Sequence, residues 1–470
     1  MDLNFIDREE ELAFLNQKWS DGESQLIILY GKRRVGKTEL AVHFARGKPN
    51  LYFLCEKIPI HYQLKKITEI LKDYFKDEFL PKEGFEDWET LFRYIKSRRQ
   101  RIILIFDEFS YLAETDPSIP SSFQKGWDLY LKDSSVFLIL AGSSISMMEQ
   151  SALSPRAPLY GRRTGQILVK PFGFTVLNQM YPDKSFEEKL MIYSAVGGTP
   201  LYLNKFRKQS FWQTVKAEML RKGEPLYEEV DFLLREELKE PRNYFAILES
   251  ISLGRHKLSE IMNETGLDKG TVSRYIGILN QLHITKKEVP VTEKLPEKSR
   301  KNKYIIDDNF ISFWFRFVFK NKFLLEENRV DEVLEKIKGL FLEVISQTYE
   351  KIAAGLLSAC ILKRNIPLKF QRWGKWWDKN NEIDLVALND KTREIFFGEV
   401  KWTGRKIGID VYQDLKKKSD SVEWGVGKRK AYFALFSRTG FTEQMLSLAQ
   451  KENVILMQQQ ELKWLPNFSR

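Results

Sequence analysis

Short apolar runs recur through the N-terminal part of the chain: Gln25–Tyr30, Leu51–Cys55, Ile102–Phe106, Val136–Ala141 and Gln166–Lys170. Longer stretches with helical spacing separate them, among them Glu39–Arg46 and Trp88–Ser97. Near-continuous apolar strands alternating with helices predict a parallel sheet covered on both faces. After Pro171 the pattern becomes helical, through Phe186–Ala195 and Tyr202–Leu220. From about Lys239 a second pattern begins: Leu258–Glu264, a break at Gly266 and Lys269–Gln281 have helix-turn-helix spacing. A basic stretch with two prolines, Lys286–Lys303, comes next, then an aromatic run, Phe310–Phe317, and a long helical pattern, Val330–Ala359. The tail alternates again, with strands predicted at Phe370–Trp377, Glu382–Leu388, Glu394–Trp402, Ala431–Phe436 and Val454–Met457. At 470 residues the chain exceeds one ordinary core, and its length suggests about three domains. The element order divides it into 1–172, 173–238, 239–308 and 309–470.

Composition narrows the chemistry. Hydrophobic residues make up 43% and charged ones 30%, which excludes a disordered chain. The two cysteines, Cys55 and Cys360, are far apart, which argues against a disulfide scaffold or a cysteine zinc site. The four histidines lack metal-ligand spacing. The polar N-terminus has no signal-peptide pattern, and no apolar run approaches membrane-spanning length, so a cytoplasmic protein without a membrane partner is expected. The formal net charge of +11 favours polyanions, nucleic acid first, without locating a site.

Gly31-Lys32-Arg33-Arg34-Val35-Gly36-Lys37-Thr38 matches G-x-x-x-x-G-K-[ST] between an apolar strand and a helical pattern. Gly31 and Gly36 permit backbone angles that aim N–H groups at phosphate oxygens, and the helix beyond adds its positive end. Lys37 would reach the β- and γ-phosphates of ATP, and Thr38 would ligate Mg²⁺. In Ile102–Glu108, five apolar residues drive a strand with Asp107 at its C-terminal end, where ligands bind in open α/β sheets. Asp107 would help hold Mg²⁺, and Glu108 would orient or deprotonate the attacking water. From Val136–Ser144, Ser143 ahead of Ser144 would sense the γ-phosphate. Arg162 or Arg163 would neutralise charge on that phosphate, in cis or from a neighbouring subunit of a homo-oligomer. A chance glycine-rich turn, a solvated acidic turn, a polar turn and a solvated basic turn are the plain alternatives.

Phe5-Ile-Asp-Arg8, the GKRRVGKT loop, LIFDEF, LAGSS, PLYGRRTG and GGTPLYL (Gly197–Leu203) together resemble the archaeal-type ATPase family, an AAA+-related group of P-loop proteins. The resemblance covers about residues 1–235. It implies a five-stranded sheet, a helical lid and adenine contacts from Phe5 and Arg8. The GGTP segment would stand where a lid sensor belongs, although it contains no arginine.

Leu258–Leu279 resembles a winged helix-turn-helix, with Leu258, Ile261, Leu267, Val272, Ile276 and Leu279 closing a small core. Lys269, Thr271, Ser273 and Arg274 would face DNA, and Lys286–Lys303 would form a basic wing. A purely architectural module is the alternative.

In the tail, Asp384 lies on one predicted strand, and Glu399 and Lys401 share a face of the next. Two carboxylates would hold Mg²⁺ or Mn²⁺, and Lys401 would polarise water or stabilise charge on phosphorus. This is the D-(x)n-E-x-K arrangement of restriction-endonuclease-like nucleases, which residues 330–465 resemble. That resemblance implies a helical carboxylate, Glu343 first and Glu350 second, and a polar residue from a later helix, Gln413. The alternatives are a same-face Glu399–Lys401 salt pair or a catalytically silent fold that binds partners. The expected fold class is therefore multidomain α/β: a P-loop AAA+-like parallel sheet with a helical lid, a winged helix-turn-helix, and a C-terminal restriction-endonuclease-like domain. The expected function is ATP hydrolysis coupled to DNA binding or metal-dependent cleavage. An ATP-driven signalling switch, or a transcription regulator acting through the winged helix, is the competing reading.

Overall fold

The computed structural model describes residues 5–238, 240–363 and 369–465. The chain divides into two units. The first comprises the segment ending at Phe172 together with Gly198–Asn204 and Asp231–Pro241; the second holds Gly173–Gly197, Lys205–Val230 and the chain from Arg242 onward.

The first unit is built on β1 (Gln25–Tyr30), β2 (Asn50–Leu54), β3 (Ile102–Asp107), β4 (Val136–Gly142) and β5 (Gly165–Leu168). They form the expected five-stranded sheet in the order β2-β3-β4-β1-β5, with every pairing parallel. Because side chains alternate across a strand, Leu26, Ile28, Leu104, Phe106, Leu138 and Leu140 enter one core. Ile27, Leu29, Ile103, Ile105, Phe137 and Ile139 enter the core on the opposite face. Both faces are therefore sealed, and polar chemistry is confined to the strand ends. The glycine segment expected in the lid belongs to this unit instead: Phe172 N–H donates to the Gly198 carbonyl at 2.8 Å. A Cβ at Gly198 would lie 1.9 Å from the Phe172 carbonyl oxygen, so only glycine allows this approach.

In the second unit, helices Arg242–Ser252, Leu258–Thr265 and Lys269–Gln281 precede an antiparallel hairpin of β6 (Thr285–Glu288) and β7 (Lys303–Ile306). Ile261, Val272, Ile276 and Leu279 are buried between the helices, and Gly266 takes a left-handed conformation in the turn. The intervening basic segment does not project as a free wing. Val291 N–H donates to the Lys375 carbonyl, and Arg372 Nη1 donates to the Val291 carbonyl. Val291 also packs against the core of the C-terminal sheet.

That sheet contains β8 (Arg372–Trp377), β9 (Glu382–Asn389), β10 (Glu394–Lys401), β11 (Lys430–Ser437), β12 (Ile455–Gln458) and β13 (Glu461–Trp464) in the order β13-β12-β11-β10-β9-β8. β8, β9 and β10 run antiparallel, β10 to β12 parallel, and β13 turns back along the edge. The 34-residue helix Val330–Lys363 packs on β9 and β10. Among the described residues, no helix is long and apolar enough to cross a membrane.

The Gly198→Ala substitution forces a methyl group onto backbone and is expected to destabilise the first unit by more than about 2 kcal/mol. A thermal melt monitored by circular dichroism, with Gly161→Ala as a control whose Cβ meets nothing within 4 Å, measures the difference.

Candidate functional site

The phosphate loop leaves β1 at the C-terminal edge of the sheet, between β4 and β5. Gly31 has φ 149° and a Cβ there would lie 2.4 Å from the Val169 carbonyl; Gly36 has φ 91° and caps helix Lys37–Ala45. Arg34 also adopts a left-handed conformation, with φ 65°. Val35 anchors the loop by burying its side chain in the core. Lys37 is only 5% exposed, and its Nζ donates to the carbonyls of Gly31 at 3.1 Å and Lys32 at 2.9 Å. Burial lowers its pKa to about 8, against the opposing pull of Glu108 and Asp107. The loop thus holds a cation that an incoming triphosphate would favour.

Asp107, 2% exposed, accepts from Thr38 Oγ1 at 2.6 Å and Tyr52 OH at 2.9 Å through one carboxylate oxygen. Its other oxygen accepts the Glu108 N–H at 3.0 Å. Burial, then the Asp107 charge, pushes the Tyr52 phenol up, so it remains a donor. No sequence motif marks Tyr52, and sequence reasoning misses it. A hydroxyl and a carboxylate in contact, both oxygen donors beside the phosphate loop, fit Mg²⁺. Glu108 occupies a left-handed conformation at φ 53° and accepts from Ser143 Oγ at 2.7 Å and Ser143 N–H at 3.3 Å. Ser143 therefore meets Glu108 directly, whereas Ser144 caps the next helix and donates to Glu237.

Two expected roles change. Arg162 and Arg163 precede β5 at the N-terminal edge of a parallel sheet, opposite the edge carrying the phosphate loop. Arg162 pairs with Asp128, and Arg163 donates to the carbonyls of Ala152 and Leu153. Sheet polarity therefore removes them from the γ-phosphate of their own subunit. Arg8 is buried and donates to Glu11, the Val35 carbonyl and the Lys170 carbonyl, with Phe172 4.8 Å beneath it. It braces the loop from below, a positioning role rather than the expected adenine contact. Phe5 stacks on His43 at 3.9 Å, with the rings 3° from parallel.

The end of helix Pro225–Glu237 adds two carboxylates that the motifs did not announce. Glu236 pairs with Arg33 at 2.8 Å, while Arg33 also donates to Tyr111 OH. Arg34 lies over the Tyr202 ring. Glu237 accepts from Ser144 Oγ, Ser146 Oγ and Ile145 N–H. Burial raises its pKa, and its charge is felt by Lys37. Negative charge already stands where a nucleotide would bring more.

In the second unit, β9 and β10 place Asp384 beside Glu399. Their register pairs Leu385 with Gly398, and Val400 N–H donates to Asp384 Oδ2 at 2.9 Å. Glu399 is 3% exposed and accepts from Lys401 Nζ at 2.6 Å and Lys418 Nζ at 3.4 Å through Oε1. Its Oε2 is buried without a hydrogen-bond partner. Burial, then the charges of Glu350 and Glu399, pushes Asp384 up to about 7. Glu350 in turn pairs with Lys375 at 2.5 Å.

Glu343 is not the helical member of this group. It stands two turns earlier, is 59% exposed and pairs with Arg316. Gln413 points outward, and the later helix contributes Lys418 instead. Among the described residues, no three carboxylate, imidazole or thiol groups converge as a ready-made metal site, so the trio Glu343, Asp384 and Glu399 is not assembled.

A family model described as an ATPase domain predominantly from Archaea matches residues 5–206. A second, described as archaeal and bacterial proteins of unknown function, matches residues 314–413. An uncharacterized protein of Methanocaldococcus jannaschii is 37% identical over 436 residues, covering 92% of this chain and 95% of that one. The chain belongs to the archaeal ATPase family. The Walker-type ATPase of Pyrococcus abyssi shares its fold at a TM-score of 0.50 and 21% identity, covering 66% of this chain and 96% of that one. A shorter match, 54% identical over 44 residues, is to an uncharacterized ATP-binding protein of Methanocaldococcus jannaschii; it covers 9% of this chain and 75% of that protein.

In this archaeal ATPase, Lys269, Ser273 and Arg274 are exposed on the second helix of the middle module. Thr271 is committed locally: its hydroxyl and N–H both donate to Asp268, the cap of its own helix.

With Lys37 near 8 in the free protein, ATP affinity is expected to be flat below that pH. Above it, affinity should weaken toward about tenfold per pH unit, because binding must then restore the proton. Calorimetric titrations from about pH 7.5 to 9.5 test this, and Lys37→Arg, charged throughout, should remove the slope. Glu237→Gln removes negative charge near Lys37 while keeping an acceptor; well below pH 8, where Lys37 stays charged, it should tighten ATP binding by roughly three- to tenfold, and it should move the onset of the slope to lower pH. The same titration reads that change.

Proposed function

We propose that the first unit binds ATP with Mg²⁺ and hydrolyses it. The carrying observation is that Thr38, Asp107, Glu108 and Ser143 form one hydrogen-bonded chain beside buried Lys37. Loop amides from Gly31, Lys32, Arg33, Arg34, Val35 and Gly36 cradle the phosphates, and Lys37 offsets their charge. Thr38 and Asp107 would hold Mg²⁺, which supplies charge neutralisation across the β- and γ-phosphates when bound. Tyr52 fixes the Asp107 carboxylate. Glu108, oriented by Ser143, accepts a proton from water as the water oxygen bonds to the γ-phosphorus. The bond from that phosphorus to the β,γ-bridging oxygen breaks, leaving ADP and phosphate. Phe5 contributes to the adenine side, and Arg162 or Arg163 acts only across a homo-oligomer interface.

We further propose that the middle module is a winged helix-turn-helix, with Lys269, Ser273 and Arg274 available to DNA phosphates. The C-terminal sheet is read as a restriction-endonuclease-like domain. Asp384 and Glu399, supported by Glu350, would take Mg²⁺ or Mn²⁺, and Lys401 would stabilise charge on a phosphodiester. The unpartnered Glu399 Oε2 and the raised Asp384 support this reading. Nucleotide state would reach these modules through helix Pro225–Glu237, whose chain runs on into Arg242–Gln281.

A second reading has its own support. Lys401 and Lys418 already neutralise Glu399, and the basic segment docks on the sheet, as expected of a silent module in an ATP-driven switch.

The test pairs two assays. Phosphate release should fall at least about a hundredfold in Lys37→Ala. Metal-dependent cleavage of labelled DNA should disappear in Lys401→Ala while phosphate release persists. Undiminished phosphate release in Lys37→Ala overturns the ATPase assignment; absence of cleavage by the unaltered protein leaves the switch.

A further inference from the structure

The second unit contains a cavity of about 870 Å³ that the middle module walls in part, through Ile251–Gly254 and His256. One wall is a stripe of the helix Val330–Lys363: Lys336, Leu340, Glu343, Gln347, Glu350 and Lys351. Their spacing of three and four residues puts them on one face. Lys336, Leu340, Glu343 and Gln347 stay exposed, so this face lines an open cleft that solvent reaches. The other walls bring Lys303 from β7, Arg316 and Lys320 from the aromatic segment, and Lys375 from β8.

Charge is distributed unevenly by role. Six cations line the space: Lys303, Arg316, Lys320, Lys336, Lys351 and Lys375. Four carboxylates accompany them, Glu288, Glu343, Glu350 and Glu382; Arg316, Lys375 and Lys303 pair with the last three and Lys336 with Glu332 beside the lining, which leaves a small positive excess. Glu350 and Lys375 belong both to this lining and to the group around Asp384, so one end of the cavity adjoins that group. Leu340, 53% exposed in the middle of the polar stripe, provides an apolar surface beside the cations. Cations for a phosphate backbone, an apolar rest for bases and carboxylates at one end fit a polynucleotide better than a small metabolite.

Size selects the form of that polynucleotide. The volume is that of an ordinary ligand pocket, about 300–1,000 Å³. A duplex, whose major groove alone is about 12 Å wide, does not enter such a space. We propose that the cavity binds a single-stranded polynucleotide end and leads it to Asp384 and Glu399. The delivery step rests on the nuclease reading above; the binding step does not.

The experiment separates the two. Full-length protein is titrated with fluorescent single-stranded DNA, single-stranded RNA and blunt duplex DNA, with chelator present so that no cleavage occurs. Single strands should bind at least about tenfold tighter than duplex. Lys320→Glu/Lys336→Glu should weaken single-strand binding by at least about tenfold and reduce the salt slope by about 1.4, two phosphate contacts' worth. Lys338→Glu, on the same helix but outside the lining, should change neither value, and an unchanged thermal unfolding profile shows that the variants fold. The DNA and RNA arms identify which strand is preferred. Equal binding of duplex, or full binding by the double variant, overturns the cavity assignment. If the binding pattern holds but metal produces no cleavage, the strand site stands and the nuclease reading falls.

Discussion

The nucleotide site depends on one electrostatic constraint: an ammonium kept almost out of water at the end of an apolar sheet. Lys37 is held by two loop carbonyls, and Asp107 and Glu108 lie close enough to oppose its neutralisation. A buried cation of this kind is costly unless an anion completes it. The loop geometry is a consequence, because Gly31 must pass under Val169 and Gly36 must turn its amide outward. Arg8 and Val35 hold that shape from the core side, while Tyr52 and Ser143 each hold one member of the acid pair. Specific hydrogen bonds keep the reacting groups in place before nucleotide arrives, which is where electrostatic catalysis has its advantage.

The same constraint appears with opposite sign in the second unit. Asp384, Glu399 and Glu350 put negative charge into a confined space, and Lys375, Lys401 and Lys418 answer it. The answer is incomplete, since Asp384 is pushed toward its neutral form and one Glu399 oxygen has no donor. On the nuclease reading proposed above, a divalent cation would supply the missing positive charge. The architecture of this unit also explains why the basic segment 289–302 is anchored at Val291, while Lys294, Lys298, Arg300 and Lys301 stay exposed. With Val291 hydrogen-bonded to β8 and Lys303 paired with Glu382, the middle module becomes one wall of the cavity.

Residue patterns made the parallel sheet legible because its strands are buried on both faces and read as continuous apolar runs. The phosphate loop and the Asp107–Glu108 pair were equally legible, since their chemistry depends on neighbours in sequence. β6 and β7, only four residues each and rich in lysine, carry no such run, and edge strand β13 alternates too briefly to stand out. Tyr52, Glu236, Glu237 and Lys418 act on partners far along the chain, so no local spacing could mark them.

The sequence alone therefore determined the sheet, the glycine-lysine loop and the acidic strand end, all set by neighbours along the chain, and left the meeting of Asp384 with Glu399 conditional on a hairpin. Only the tertiary structure decided which distant charges meet. It moved the helical carboxylate from Glu343 to Glu350, because two turns carry the same helix face about 10.5 Å further along the axis, to the level of Asp384. It also set Arg162 and Arg163 at the wrong edge for their own loop, because parallel strands send residues that enter a strand and residues that leave one to opposite edges of the sheet. Charge acts through space, and a linear pattern records only which charges exist.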